Sequence, residues 1–247
     1  MKPKPINNRV TEMTGVDYPI LQAPMGWIAR AQLASAVSNS GAMGIIETSS
    51  GDFDAIQEEV RKMHELTDKP FGMNVALAFV KGTNVIDFVI EQGIKFVTTS
   101  SGSPDLCTKD FQEAGIKVFH VVPTLDMALK ALDAGVDGLV VEGGEGGGFK
   151  NPRPVSTMVL LPLIRERTDV PIIAAGGRVC HGSRGCSVGD GHVELFGFTG
   201  SSELEKRNLR GERNGYRFLK PARSACASSD AYRPHGRTGT FGTVPTV

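Results

Sequence analysis

Three phrases decide the fold: 91–97 (EQGIKFV), 113–119 (EAGIKVF) and 133–139 (DAGVDGL). Each has an acidic residue and a small or polar one, then glycine, then a short apolar run rich in β-formers. Glycine after an amphipathic stretch is a helix stop, because it alone enters the left-handed region without steric cost. An apolar run without alternation suits a strand buried on both faces of a parallel sheet. The phrase is therefore a helix-to-strand junction, and its recurrence predicts similar βα units in series.

Working outward, the strand candidates are 18–22 (YPILQ), 43–47 (MGIIE), 70–75 (PFGMNV), 95–99 (KFVTT), 117–122 (KVFHVV), 138–142 (GLVVE) and 171–175 (PIIAA). Their starts are 25, 27, 25, 22, 21 and 33 residues apart. That cadence leaves room for one helix per unit, and seven units point to an α/β fold of the β/α-barrel type, with an open doubly wound sheet as the alternative. The helices are expected at 30–40, 53–65, 84–92, 105–114, 124–134 and 156–167, where apolar residues recur at three and four. Asp52, Thr124 and Ser156 stand where N-caps belong. Pro162 either kinks the last of these helices or marks its start.

The cadence stops after Gly177. Thirteen isoleucines lie in residues 1–177 and none in 178–247, while Arg to Lys changes from 6:10 to 9:2. The first 177 residues are expected to form an incomplete barrel with its eighth unit missing or replaced. Residues 178–247 are expected to be an atypical, poorly ordered tail. A changed reading frame would produce that composition, and an extension with its own role is the other reading. Cysteines 107, 180, 186 and 226 form no CxxC pair and read as unpaired thiols, with no metal site implied.

Twenty-seven basic and 27 acidic residues leave no electrostatic case for nucleic acid or an acidic membrane. No apolar run is long enough to span a bilayer, and the start MKPKPINNRV lacks the apolar core of a signal peptide, so a cytoplasmic location is expected.

In a β/α barrel the ligand sits at the carboxyl ends of the strands. There the sequence places QAPMG (22–26), Asn74 after Met73, TTSSGSP (98–104), GGEGGG (143–148) and AAGG (174–177). Five glycines around Glu145 would waste conformational entropy unless backbone must pass close to something, and consecutive N–H groups there can cradle an anion. The pattern is not a P-loop, since no GK[ST] follows. Lys117 could neutralise a phosphate or a reduced ring, or face solvent. Strand alternation puts it on one face with Phe119, and puts His120 on the other with Val118. His120 reads either as a general base or as a satisfied core histidine.

Taken in order, QAPMGWIARA, FGMNV, TTSSGSP, GIKVFHVV, EGGEGGG and PIIAAGG resemble the nitronate monooxygenase family, formerly called 2-nitropropane dioxygenases. Its relatives include FMN-dependent enoyl-ACP reductases and NAD(P)H:quinone reductases. The resemblance spans residues 8–177 and implies a TIM-type barrel, non-covalent FMN, a small-molecule substrate, O2 or quinone as acceptor, and NAD(P)H as a donor in the reductase branch. It implies that Ala23, Pro24 and Met25 line the flavin ring, that Asn74 bonds the ring or ribityl chain, and that Lys117 reaches the pyrimidine edge. Gly147 and Gly148 would contact the flavin, and Ala175, Gly176 and Gly177 would hold its phosphate. Two features depart from the pattern. Phe149 stands where the family carries a histidine, which leaves His120 as the candidate catalytic residue, and the MGT-type motif of the eighth strand is not recognisable. A phosphate-sugar barrel enzyme without flavin and an inactive truncated product are the competing readings.

Overall fold

The computed structural model describes residues 4–79, 84–147 and 151–176, together with the backbone of three two-residue strands at 187–188, 191–192 and 194–195. All lie in one compact unit, Met1–Ser202.

Six strands follow one another as neighbours in a parallel sheet: β1 (Gly44–Glu47), β2 (Phe71–Ala76), β3 (Phe96–Ser100), β4 (Lys117–Val122), β5 (Gly138–Glu142) and β6 (Ile172–Ala175). The helices are α1 (Arg9–Thr14), α2 (Ala31–Asn39), α3 (Phe53–Leu66), α4 (Asn84–Glu91), α5 (Thr108–Glu113), α6 (Leu125–Asp133) and α7 (Thr157–Arg165). The repeated junction performs as its composition predicts. Gly93, Gly115 and Gly135 all take the left-handed conformation, with φ of 68°, 74° and 77°. Each lets the chain turn directly from a helix into the next strand.

Alternation along the strands divides the core into two layers. Ile46, Met73, Val75, Val97, Val118, Val122, Leu139, Val141 and Ile172 pack with the helices. Ile45, Phe96, Phe119, Val140 and Ile173 form a separate buried cluster with Val10, Leu21 and Met43. Six flat strands at about 4.8 Å spacing would hold β1 and β6 about 24 Å apart. Yet Ile45 of β1 and Ile173 of β6 are both fully shielded on the face that those helices leave uncovered, which the sheet achieves by curling around that face. Phe96 and Phe119 fill that interior with ring centroids 5.3 Å apart.

Several expectations need correction. Residues 18–22 do not form a strand; only Leu21 bridges Met43, in parallel. Pro19 and Pro24 flank the bridge and carry no N–H, so a longer ladder lacks donors. The expected helix at 105–114 is divided into a short 3-10 turn at Pro104–Leu106 and α5. Seven full βα units thus reduce to six strands plus a bridge. In the other direction, an eighth parallel position does exist in part: Glu194 and Leu195 pair in parallel with Ile173 and Ala174 of β6. The rest of 178–247, including the expected poorly ordered tail, lies outside the described residues. Asp52, Thr124 and Ser156 all cap, accepting bonds from the backbone N–H of Ala55, Met127 and Met158. Helix α7 runs through Pro162 rather than starting there. Among the described residues no helix is long and apolar enough to cross a membrane.

Candidate active site

The carboxyl end of the sheet, on the face turned away from the helices, carries a polar layer. Asn74 is 2% exposed, and its Nδ2 donates to Thr98 Oγ1 at 3.0 Å, Thr98 O at 3.3 Å and Ser100 Oγ at 3.3 Å. The register sets these residues together, with Asn74 beside Thr98 and Ala76 beside Ser100. Glu47, beside Asn74 on β1, is fully buried. A buried carboxylate is costly unless paired and hydrogen-bonded. Glu47 meets that requirement: its Oε1 accepts from the Trp27 N–H and lies 3.2 Å from Arg30 Nη2, and its Oε2 accepts from Ser49 Oγ and the Ser50 N–H. This buried knot pins the loop after Leu21 to the end of β1.

That loop holds Ala23, Pro24 and Met25. Ala23 is exposed, Pro24 and Met25 are half-buried, and the turn is closed by bonds from Met25 N to Ala23 O and from Ala29 N to Met25 O. Gln22 opens it. Its Nε2 donates to Ile45 O at 3.0 Å, taking the place that an N–H on Pro24 would have filled, and lies 3.4 Å from Ala23 O. Both neighbours are carbonyls, so the amide nitrogen must face them. Gln22 Oε1 is then buried with no partner among the described residues. An unsatisfied buried acceptor costs about 1–3 kcal/mol, and a ligand with an N–H would relieve it.

On the opposite side of the rim, residues 143–147 fold over the start of α7. Glu145 accepts from Ser156 Oγ, the Thr157 N–H and Thr157 Oγ1, at 2.6–3.2 Å. The hydroxyl of Ser156, then the Thr157 backbone, pull its carboxyl down to about 2. The anion expected at a helix amino end is thus supplied by the loop itself. Gly176, with φ of 95°, is where β6 meets this loop. A Cβ there would lie 2.8 Å from both Gly143 O and Gly146 N, so only glycine permits the approach. Gly143 N also bonds Ala175 O at 3.0 Å. By contrast Gly147 is exposed with open space around it. Gly148, Phe149 and Gly177 lie outside the described residues.

Two candidates stand apart from this rim. Lys117 is the first residue of β4, at the amino end, and its Nζ bonds Asp137 Oδ1 at 2.8 Å. Five residues of extended chain, about 16 Å, separate it from the carboxyl end. His120 lies on the helix side with Val118 and Val122. Its Nδ1 pairs with Thr99 Oγ1 at 2.7 Å, and burial pushes its pKa down to about 4. It is a neutral, satisfied core histidine facing away from the curled interior. Sequence reasoning put Gln22 at the rim only as part of QAPMG and missed the role of its amide, and it missed Glu47 and the Arg30–Glu47 pair, whose partners come from different units. The only hint was a charged residue closing the otherwise apolar run of β1.

The nitronate monooxygenase family model matches residues 7–81 and 77–183, most of the chain. The chain belongs to that family. Several named proteins are similar to this nitronate monooxygenase family member. A Mycobacterium tuberculosis protein named (3aS,4S,5R,7aS)-5-hydroxy-7a-methyl-1-oxo-octahydro-1H-indene-4-carboxyl-CoA dehydrogenase is 29% identical over 83% of this chain and 61% of its own length. A Staphylococcus aureus protein named "Probable nitronate monooxygenase" is 28% identical over 69% of this chain and 60% of its own. The structure of FabK (M276A) from Thermotoga maritima superposes with a TM-score of 0.66 at 33% identity, over 69% of this chain and 57% of that one. The chain therefore spans about 60% of the length of these curated relatives.

Proposed function

We propose that this chain binds FMN at the carboxyl rim and oxidises alkyl nitronates with O2. The observation that carries the reading is that exposed Ala23 with half-buried Pro24 and Met25, the buried Asn74 amide, the Gln22 acceptor without a partner among the described residues and the close backbone approach at Gly176 all stand at the carboxyl ends of the strands. Ala23, Pro24 and Met25 would lie along the ring, Asn74 would bond ring or ribityl, Gly147 and Gly148 would touch the flavin, and Ala175, Gly176 and Gly177 would hold the phosphate. Because Glu145 occupies the start of α7, the phosphate donors must come from the backbone around Gly176 rather than from that helix. The same reading takes residues 1–177 as an incomplete TIM-type barrel domain and 178–247 as an atypical tail, from which Glu194 and Leu195 pair with β6.

FMN supplies a two-electron acceptor that O2 can reoxidise. The protein's part is to orient substrate and exclude water. An alkyl nitronate arrives already deprotonated, so no side chain need take a proton from carbon. That suits a chain whose His120 faces the helices and whose residue 149 is phenylalanine. The second reading, NAD(P)H-dependent reduction of a quinone or an enoyl thioester, is favoured by the similarity to FabK and to a CoA-thioester dehydrogenase. Anaerobic mixing of the yellow protein with ethyl nitronate should bleach it. Bleaching by NADH or NADPH alone would select the second reading, and a colourless protein after reconstitution with FMN would defeat both.

A further inference from the structure

Trp27 is the one tryptophan of the chain, and it is held in a posture that packing does not explain. The residue is 66% exposed, and its backbone takes φ of 62°, a region that bulky residues avoid. Strain of this kind persists only where surroundings over-determine it, and it gathers at ligand sites. Here the surroundings are the Glu47 knot. The Trp27 N–H donates to Glu47 Oε1 at 3.2 Å, and the Arg30 guanidinium, paired with the same carboxylate, lies 4.9 Å from the centre of the indole. One face of the ring therefore rests on a cation that is itself anchored to a buried acid. The exposed remainder is a flat, electron-rich surface two residues from the Ala23–Met25 loop. Ile28 beside it is also more than half exposed, which extends the apolar surface along the rim.

We infer that the open face of Trp27 is the stacking platform for the planar head of a quinone, the electron acceptor in the second, NAD(P)H-dependent reading of the flavin site. A nitronate head is too small to cover an indole, whereas a benzoquinone ring matches its area and is electron-poor where the indole is electron-rich. The ring's fixed orientation removes the cost of ordering it on binding. The inference rests on that second reading for its role, but the platform can be tested without it by quinone binding alone.

The test is tryptophan fluorescence, because every photon near 350 nm comes from Trp27. The full chain is titrated, without reductant, with 2,3-dimethoxy-5-methyl-1,4-benzoquinone, and N-acetyltryptophanamide is titrated in parallel. Saturable quenching of the protein against linear quenching of the free indole is expected. In NAD(P)H-driven turnover, Trp27→Ala should raise the quinone KM about tenfold while Trp27→Phe stays within about threefold. Circular dichroism confirms that each variant is folded. Linear quenching of the native protein, or an unchanged KM in Trp27→Ala, overturns the platform. Saturable quenching in a protein that takes up no FMN upholds the platform and removes the flavin reading, so the two fail separately.

Discussion

The two faces of β2–β4 hold similar polar chemistry and use it oppositely. On the curled interior, Asn74, Thr98 and Ser100 form a hydrogen-bonded layer at the carboxyl end, next to the loop of Ala23–Met25. On the helix side, Thr99 and His120 pair with each other beneath the helices, and the histidine is buried and neutral. Thr98 and Thr99 are adjacent in sequence, yet one belongs to the candidate site and the other to the core. A single step along a strand reverses the face, so residue type near a strand end says little about function until the face is known.

The largest expected effect comes from Gly176→Val. Its Cβ would meet backbone of Gly143 and Gly146 at 2.8 Å in a left-handed position, and loss of about 4 kcal/mol in urea unfolding, with loss of FMN uptake, is expected. If FMN binding survives intact, the cradle is not the phosphate site.

The helix-side pair gives the next effect. His120 titrates near 4 when folded and near 6.5 when unfolded, so the unfolded chain binds the extra proton between these values. Stability is full above pH 6.5 and falls as pH drops toward 4, by about 3 kcal/mol at most. His120→Gln should flatten that part of the pH profile and leave turnover within about threefold. A loss of activity by about a hundredfold in a folded His120→Gln protein would mean that the histidine does face substrate.

Asn74→Ala tests the interior side. Removing its buried amide leaves Thr98 and Ser100 short of a partner, and FMN affinity should weaken about tenfold, measured by fluorescence titration with FMN. The smallest effect is expected for Lys117→Met. Its half-exposed pair with Asp137 is worth about 1 kcal/mol or less, and FMN affinity should stay within about twofold. A large drop would place the amine near the flavin after all.

Much of this was legible in the residues. The junction glycines, the three helix caps and β1 through β6 could be read because each has a signal carried by residues close in sequence. Asn74 was legible as a site candidate because it interrupts an apolar run where a strand ends. Lys117 was misplaced because a charged residue at a strand's start resembles one at its end when only composition is read. The roles of the Gln22 amide, Glu47 and Arg30 went unread because decisive partners lie far along the chain: Ile45 for the glutamine, and Trp27 and Arg30 for the glutamate.

By itself, then, the sequence determined the βα cadence, the family and the small backbone-rich loops along one rim, since local propensity and hydrophobic period are properties of neighbouring residues. Only the tertiary structure decided that His120 faces the helices, that Lys117 sits at the far end, that Glu145 fills the start of α7, and that Trp27 is held open above Arg30. Each of those turns on the face of a curled sheet or on partners brought together from distant units. The curl arises from packing Ile45, Phe96, Phe119, Val140 and Ile173 against one another, an energy that no single segment contains.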